Sequence, residues 1–136
     1  MSLVIDSSIT LSWCFEDERT DVTATLLYRV AETGALVPAL WRLEVANGLQ
    51  VALRCGRIDV AYRDATIANL RDLAIDVDPE TDRAWSEILQ LADRFRLTLY
   101  DAAYLELAQR RQLPLASLDN ELRAAGQMLG VPLLGL

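Results

Sequence analysis

Four carboxylates, Asp6, Glu44, Asp101 and Asp119, stand among apolar neighbours. Asp6 ends the run Leu3-Val4-Ile5 and precedes Ser7-Ser8. Glu44 lies within Leu40-Trp41-Arg42-Leu43-Glu44-Val45-Ala46-Asn47. Asp101 opens Asp101-Ala102-Ala103-Tyr104-Leu105-Glu106-Leu107-Ala108, and Asp119 ends Leu115-Ala116-Ser117-Leu118. A carboxylate at the edge of a core is costly to desolvate unless it is paired, hydrogen-bonded or bound to a metal. If the fold gathers all four, repulsion raises that cost, and a divalent cation is the natural remedy. The chain has no histidine, which removes Ser-His-Asp triads, imidazole bases and His-bearing zinc sites. It has no lysine either, since all 13 basic residues are arginine, so P-loop and Schiff-base chemistry are excluded. Cys14 and Cys55 form no CxxC pair and read as ordinary reduced thiols. A metal site would therefore use oxygen ligands, which suits Mg²⁺ or Mn²⁺.

The elements that must position these acids alternate between short β-rich runs and longer helical ones. Strands are expected over residues 2–6, 36–38, 74–77, 113–118 and 131–134. Helices are expected over 8–14, 21–33, 40–55, 59–73, 79–95, 99–112 and 120–129. Gly34 and Gly56 supply stops, and Pro38 suits an edge strand or a turn. Asp78-Pro79 reads as an N-cap with proline at the first helical position. Thr98-Leu99-Tyr100-Asp101 resembles a capping box. Strands separated by helices predict an α/β fold: a central, mostly parallel sheet of four to five short strands, flanked by helices on both faces. Residues 1–136 read as a single domain. In such a sheet ligands bind beyond the carboxyl ends of the strands. Asp6 and Asp119 fall at those ends, Asp101 in the first turn of one helix, and Glu44 one turn into another.

Each acid also has a structural explanation. Asp6 and Asp119 could be N-caps, and Asp101 could complete the Thr98 box. Glu44 has no such role, because it sits among apolar residues inside a helix. The other acids, Glu16-Asp17-Glu18, Asp76, Asp78, Glu80, Asp82, Glu87 and Asp93, read as surface. Arg54/Arg57, Arg94/Arg96 and Arg110/Arg111 are the close arginine pairs, each as ready to pair with acids as to touch phosphate. A net charge of −7 argues against a protein that coats nucleic acid, but not against an enzyme holding phosphates through metal ions. No apolar run is long enough to span a membrane, and Met-Ser-Leu-Val-Ile-Asp does not read as a signal peptide. A cytoplasmic protein is the expectation.

Ile5-Asp6-Ser7-Ser8 with Trp13 downstream, Leu43-Glu44-Val45-Ala46-Asn47, Leu99-Tyr100-Asp101 through Ala108, and Ala116-Ser117-Leu118-Asp119 together resemble the PIN-domain ribonucleases. More narrowly, the chain resembles a VapC-type toxin of a bacterial type II toxin–antitoxin pair. The resemblance runs in order along essentially the whole chain, and the Asp-Ala-Ala-Tyr helix is its most specific part. It implies a Mg²⁺- or Mn²⁺-dependent endoribonuclease. Asp6, Glu44, Asp101 and Asp119 correspond to the family's acidic quartet, and Ser8 and Ser117 to hydroxyl positions beside it. The second of those is often threonine in the family. Some relatives carry a further acid after the last aspartate, where this chain has Asn120 and then Glu121. The resemblance also implies a homodimer, an RNA substrate and a cognate antitoxin whose C-terminal segment covers the site, often with an arginine. Trp13, Phe15 and Trp41 are candidates either for a groove receiving that segment or for core and dimer contacts.

Two signalling or phosphatase alternatives fail on composition. A response-regulator receiver needs a lysine near its aspartate, and a haloacid-dehalogenase-like phosphatase needs Asp-x-Asp and a later lysine. A PIN domain that processes RNA, or binds it without catalysis and without an antitoxin, stays open as the alternative function.

Overall fold

Five short strands lie in the order β3-β2-β1-β4-β5 in the computed structural model, which describes residues 2–80 and 82–136. They are β1 (Val4–Ile5), β2 (Ala35–Val37), β3 (Ile75–Val77), β4 (Leu115–Ala116) and β5 (Leu133–Leu134). Every pairing is parallel, with Val4 and Ile5 opposite Leu115 and Ala116 across β1 and β4. Parallel strands need crossovers, and helices supply them: α1 (Ser7–Cys14), α2 (Asp21–Thr33), α3 (Leu40–Arg54), α4 (Val60–Arg71), α5 (Glu87–Phe95), α6 (Leu99–Arg111) and α7 (Asn120–Met128). From β1 the chain builds outward to β2 and β3, then returns to place β4 on the other flank of β1. The strand order reverses between β1 and β4, and open α/β sheets form their ligand crevice at that point.

The three central strands are buried on both sides, as in parallel sheets. Val4, Ile5, Ala35, Val37, Leu115 and Ala116 have no accessible surface, and α6 covers the centre with the continuous buried run Ala102 to Ala108. Helix α6 packs on β1, β4, α5 and α7, whereas α3 packs mainly on α1 and α4. Trp13, Phe15 and Trp41 are all buried. The two indoles are used internally: the Trp13 indole donates to Thr23 O and the Trp41 indole to Thr10 Oγ1. All three aromatics belong to the core, and each also lines the wall of a surface cavity. No helix among the described residues is long and apolar enough to cross a membrane.

The expected elements are present, with two corrections. Of the two places open to Pro38 it takes the turn: β2 lies inside the sheet, and Pro38 follows it, beyond the ladder that a proline would interrupt, with its carbonyl accepting from Trp41 N. The helix expected over 79–95 is a 3-10 turn at Asp82–Trp85 followed by α5, and Thr81 lies outside the described residues. Asp78 does not cap it. Its carboxylate is buried, 2.8 Å from Arg110 and 3.5 Å from Arg111. Two guanidinium groups near the end of α6 offer this carboxylate stronger partners than one backbone N–H can. Glu106 is buried beside it and accepts from Arg110 Nε at 2.8 Å. Hydrogen bonds to these acids hold Arg110 well above the usual arginine range, despite the cost of its burial. Finally, the reciprocal capping box forms at Thr20 and Thr23, where it opens α2. At Thr98 the hydroxyl accepts from Asp101 N, as an ordinary N-cap.

Candidate active site

The site is built where β1 and β4 end side by side. Asp6 is the residue after β1 and Ser117 the residue after β4, so the parallel register sets them opposite one another. The Asp6 backbone N–H donates to Ala116 O at 3.1 Å, extending the ladder by one step. The Asp6 carboxylate is buried and accepts three hydrogen bonds. Its Oδ1 accepts from Ser8 Oγ at 2.6 Å and from Ile9 N at 3.1 Å, and its Oδ2 accepts from Ser117 Oγ at 2.5 Å. The Ile9 contact makes Asp6 the N-cap of α1. Burial raises its pKa above the ordinary aspartate value, and the Asp119 charge adds to this; the hydrogen bonds from Ser117, Ser8 and the Ile9 amide act the other way.

The two serines link Asp6 to the loop carrying Asp119. Ser8 Oγ accepts from Leu118 N at 3.0 Å, and Ser117 Oγ accepts from Asp119 N at 3.0 Å. Each hydroxyl thus donates to Asp6 and accepts from the β4–α7 loop, so the carboxylate and the loop fix one another. Asp119 Oδ1 accepts from Leu122 N at 2.8 Å and caps α7. Arg123 braces the same loop by donating to Ser117 O and Leu134 O. Replacing Ser117 by alanine leaves a buried carboxylate oxygen and the Asp119 amide without partners. The expected cost is about 1–3 kcal/mol, measured as a lower midpoint in urea; an unchanged midpoint would show that water replaces the hydroxyl.

Asp101 enters from α6. Thr98 caps that helix and fixes Asp101 in its first turn. Burial lifts the Asp101 carboxyl to about 6, with further contributions from the negative charges of Asp119, Asp6 and Glu44 in that order; the Thr98 hydroxyl pulls the other way. The other three acids thus lie near enough to act on its charge. Glu44 reaches the group from α3, where its Oε1 accepts from the Tyr104 hydroxyl at 2.6 Å. Tyr104 is a functional neighbour that the sequence reading missed. Its signal was present: a phenol three residues after Asp101, on a helix face otherwise filled by apolar side chains. Burial, the Glu44 hydrogen bond and the Glu44 charge push its own pKa far above the usual tyrosine value. Glu121 is exposed in the first turn of α7.

The donor set suits a hard divalent cation. It is all oxygen, and none of the ion pairs formed by the described residues involves Asp6, Glu44, Asp101 or Asp119. The arginines that pair at all are spent elsewhere, so the negative charge of the cluster is left for something else to offset. Among the described residues, no three acidic or thiol side chains close tightly enough around one point to grip an ion as they stand. Repelling carboxylates are expected to spread in this way.

Comparison with known proteins agrees with the geometry. The family described as PIN domain matches residues 3–127. Ribonuclease VapC3 of Mycobacterium tuberculosis, in two strains, is 37% identical over 101 residues, which are 71% of this chain and 69% of that protein. The crystal structure of PAE2754 from Pyrobaculum aerophilum superposes with a TM-score of 0.72, covering 92% of this chain and 86% of that one at 23% identity, a likeness of fold. With the ordered acids, the strand order and these matches in agreement, the chain belongs to the PIN-domain family and, within it, to the VapC-type proteins.

Proposed function

We propose that this single domain is a metal-dependent endoribonuclease and the toxin of a type II toxin–antitoxin pair, acting as a cytoplasmic homodimer restrained by a cognate antitoxin. The observation that carries the reading is the arrangement of the four acids: Asp6 is tied through Ser8 and Ser117 to the Asp119 loop, Glu44 is held by Tyr104 of the Asp101 helix, and among the described residues none of the four has an arginine partner. In a phosphodiesterase without histidine or lysine, such a cluster can hold the divalent ion that activates water. The similarity to a ribonuclease of the VapC type supports RNA as the substrate.

Asp6 and Asp101 would be the principal ligands for Mg²⁺ or Mn²⁺, with Asp119 and Glu44 completing the set or orienting the attacking water. When bound, such an ion polarises the scissile phosphate and activates water at neutral pH. The protein's own contribution is rigidity. Ser8 and Ser117 hold the Asp6 rotamer, the Asp119 cap on α7 fixes that carboxylate, and the surrounding core keeps bulk water from one side. An antitoxin bringing a cationic side chain would inhibit by occupying the same unbalanced charge. The test is cleavage of a mixed RNA pool by antitoxin-free protein with Mn²⁺ and in excess EDTA, with the ends mapped by sequencing. Metal-dependent products are expected. Turnover in EDTA would sink the mechanism, and no products under either condition would favour an RNA-binding role.

A further inference from the structure

We propose that Tyr104 is a positioning residue that holds Glu44 at the distance and orientation the other three acids require. The inference rests on the reading of the four acids as a metal site.

The four acids are not equally anchored. Asp6 follows β1, Asp101 belongs to α6 and Asp119 to the β4–α7 loop, and these elements pack directly on one another, with α6 against β1, β4 and α7. Glu44 comes from α3, which packs mainly on α1 and α4 and so reaches the site from outside that block. Among the described residues, two polar links tie α3 to it. At the start of the helix the Trp41 indole donates to Thr10 Oγ1 at 2.9 Å, and the same hydroxyl donates to Asp6 O at 3.1 Å. One turn later the Tyr104 hydroxyl donates to Glu44 Oε1 at 2.6 Å across 60 residues of sequence. Only the second link acts on the carboxylate itself.

The chemistry of that link suits a positioning role. The Tyr104 ring is buried to within 1% of its surface, so the phenol cannot follow a moving partner. A fixed donor selects one Glu44 rotamer and occupies one carboxylate oxygen, leaving the second available to a ligand. Against three like charges, an unheld glutamate on a surface helix would swing towards water. A hydrogen bond from a rigid neutral donor prevents this without neutralising the charge, as an arginine would. Outer partners of this kind typically alter metal affinity by about 10–100-fold.

The test is calorimetric titration of the full chain with Mn²⁺, comparing wild type, Tyr104→Phe, Glu44→Ala and the double variant. Tyr104→Phe keeps the buried ring and removes only the hydroxyl. It is expected to weaken Mn²⁺ binding about 10-fold, while Glu44→Ala and the double variant bind alike, because no Glu44 remains to be positioned. Wild-type affinity in Tyr104→Phe, or an equal loss from that change when Glu44 is already alanine, overturns the inference while leaving the metal site intact. Absence of Mn²⁺ binding by the wild type removes the metal reading itself. A second arm leaves Tyr104 in place: its ring resonances are expected to shift in Glu44→Ala, and an unchanged Tyr104 spectrum overturns the contact.

Discussion

Replacing Asp101 by asparagine is expected to lower metal-dependent RNA cleavage by about 10³-fold, a loss typical of removing one fixed electrostatic group from a reacting centre, while making the metal-free protein harder to unfold. The two effects share a cause. The Asp101 carboxyl is lifted to about 6 because burial and three acidic neighbours disfavour its charge, so at neutral pH the ionised side chain opposes folding. Asparagine has nearly the same shape and no charge. The gain is expected to be on the order of 1 kcal/mol once solvent contact with this half-buried group is discounted. For a chain of this size, that raises the thermal midpoint by roughly 4 °C. Asp6→Asn provides the contrast. Asp6 accepts three hydrogen bonds, and an amide in its place presents a donor to hydroxyls already donating inward. Activity and stability are both expected to fall. The two variants are compared by thermal unfolding in EDTA and by cleavage in Mn²⁺. Wild-type cleavage by Asp101→Asn would remove this residue from the mechanism.

The same carboxyl gives the protein an unusual response to pH. A group whose folded pKa is raised stabilises the fold when protonated; that contribution is fully present below the ordinary aspartate value of 3.8 and is lost as pH rises through about 6. Metal-free protein is therefore expected to gain stability from this group as pH falls from 7.5 to 5. Divalent ions act in the opposite direction, because they require the ionised form. At pH 7.5, Mn²⁺ at 100 times its dissociation constant adds about 2.7 kcal/mol by mass action. The increment shrinks as Asp101 takes up its proton below about pH 6. Denaturation in urea at several pH values, with Mn²⁺ or EDTA, yields both curves. Asp101→Asn should flatten the metal-free curve between pH 5 and 7. A wild-type curve that falls steadily on acidification in EDTA would show that Asp101 is not under the strain its surroundings imply.

Much of this architecture is legible in the residues, for identifiable reasons. The parallel sheet follows from apolar runs such as Leu3-Val4-Ile5 alternating with capped helices. Helix α2 is readable to the residue because Asp21 and Gly34 punctuate it, and α7 because Asp119 caps it. The quartet stands out because carboxylates among apolar residues are costly. What escaped depends on partners distant in sequence. Asp78-Pro79 is a good local cap signal, yet Asp78 is drawn inward by Arg110 and Arg111, more than thirty residues away. Tyr104 resembles any core aromatic until its hydroxyl is seen against Glu44. Trp13 and Trp41, readable as groove or as core residues, satisfy their indoles inside the core.

Three helices begin at the acidic cluster: α1 capped by Asp6, α7 capped by Asp119, and α6 with Asp101 in its first turn. The aligned peptide dipoles of each place roughly +0.5 of a charge at that end. Together they lower the formal charge of about −4 to an effective value near −2.5, which helps to explain how four carboxylates can coexist at the edge of a hydrophobic sheet. One divalent ion then brings the centre close to neutrality, and a second would make it attractive to an anion. The helix starts that set the geometry of the acids thus also adjust the potential a phosphodiester would meet.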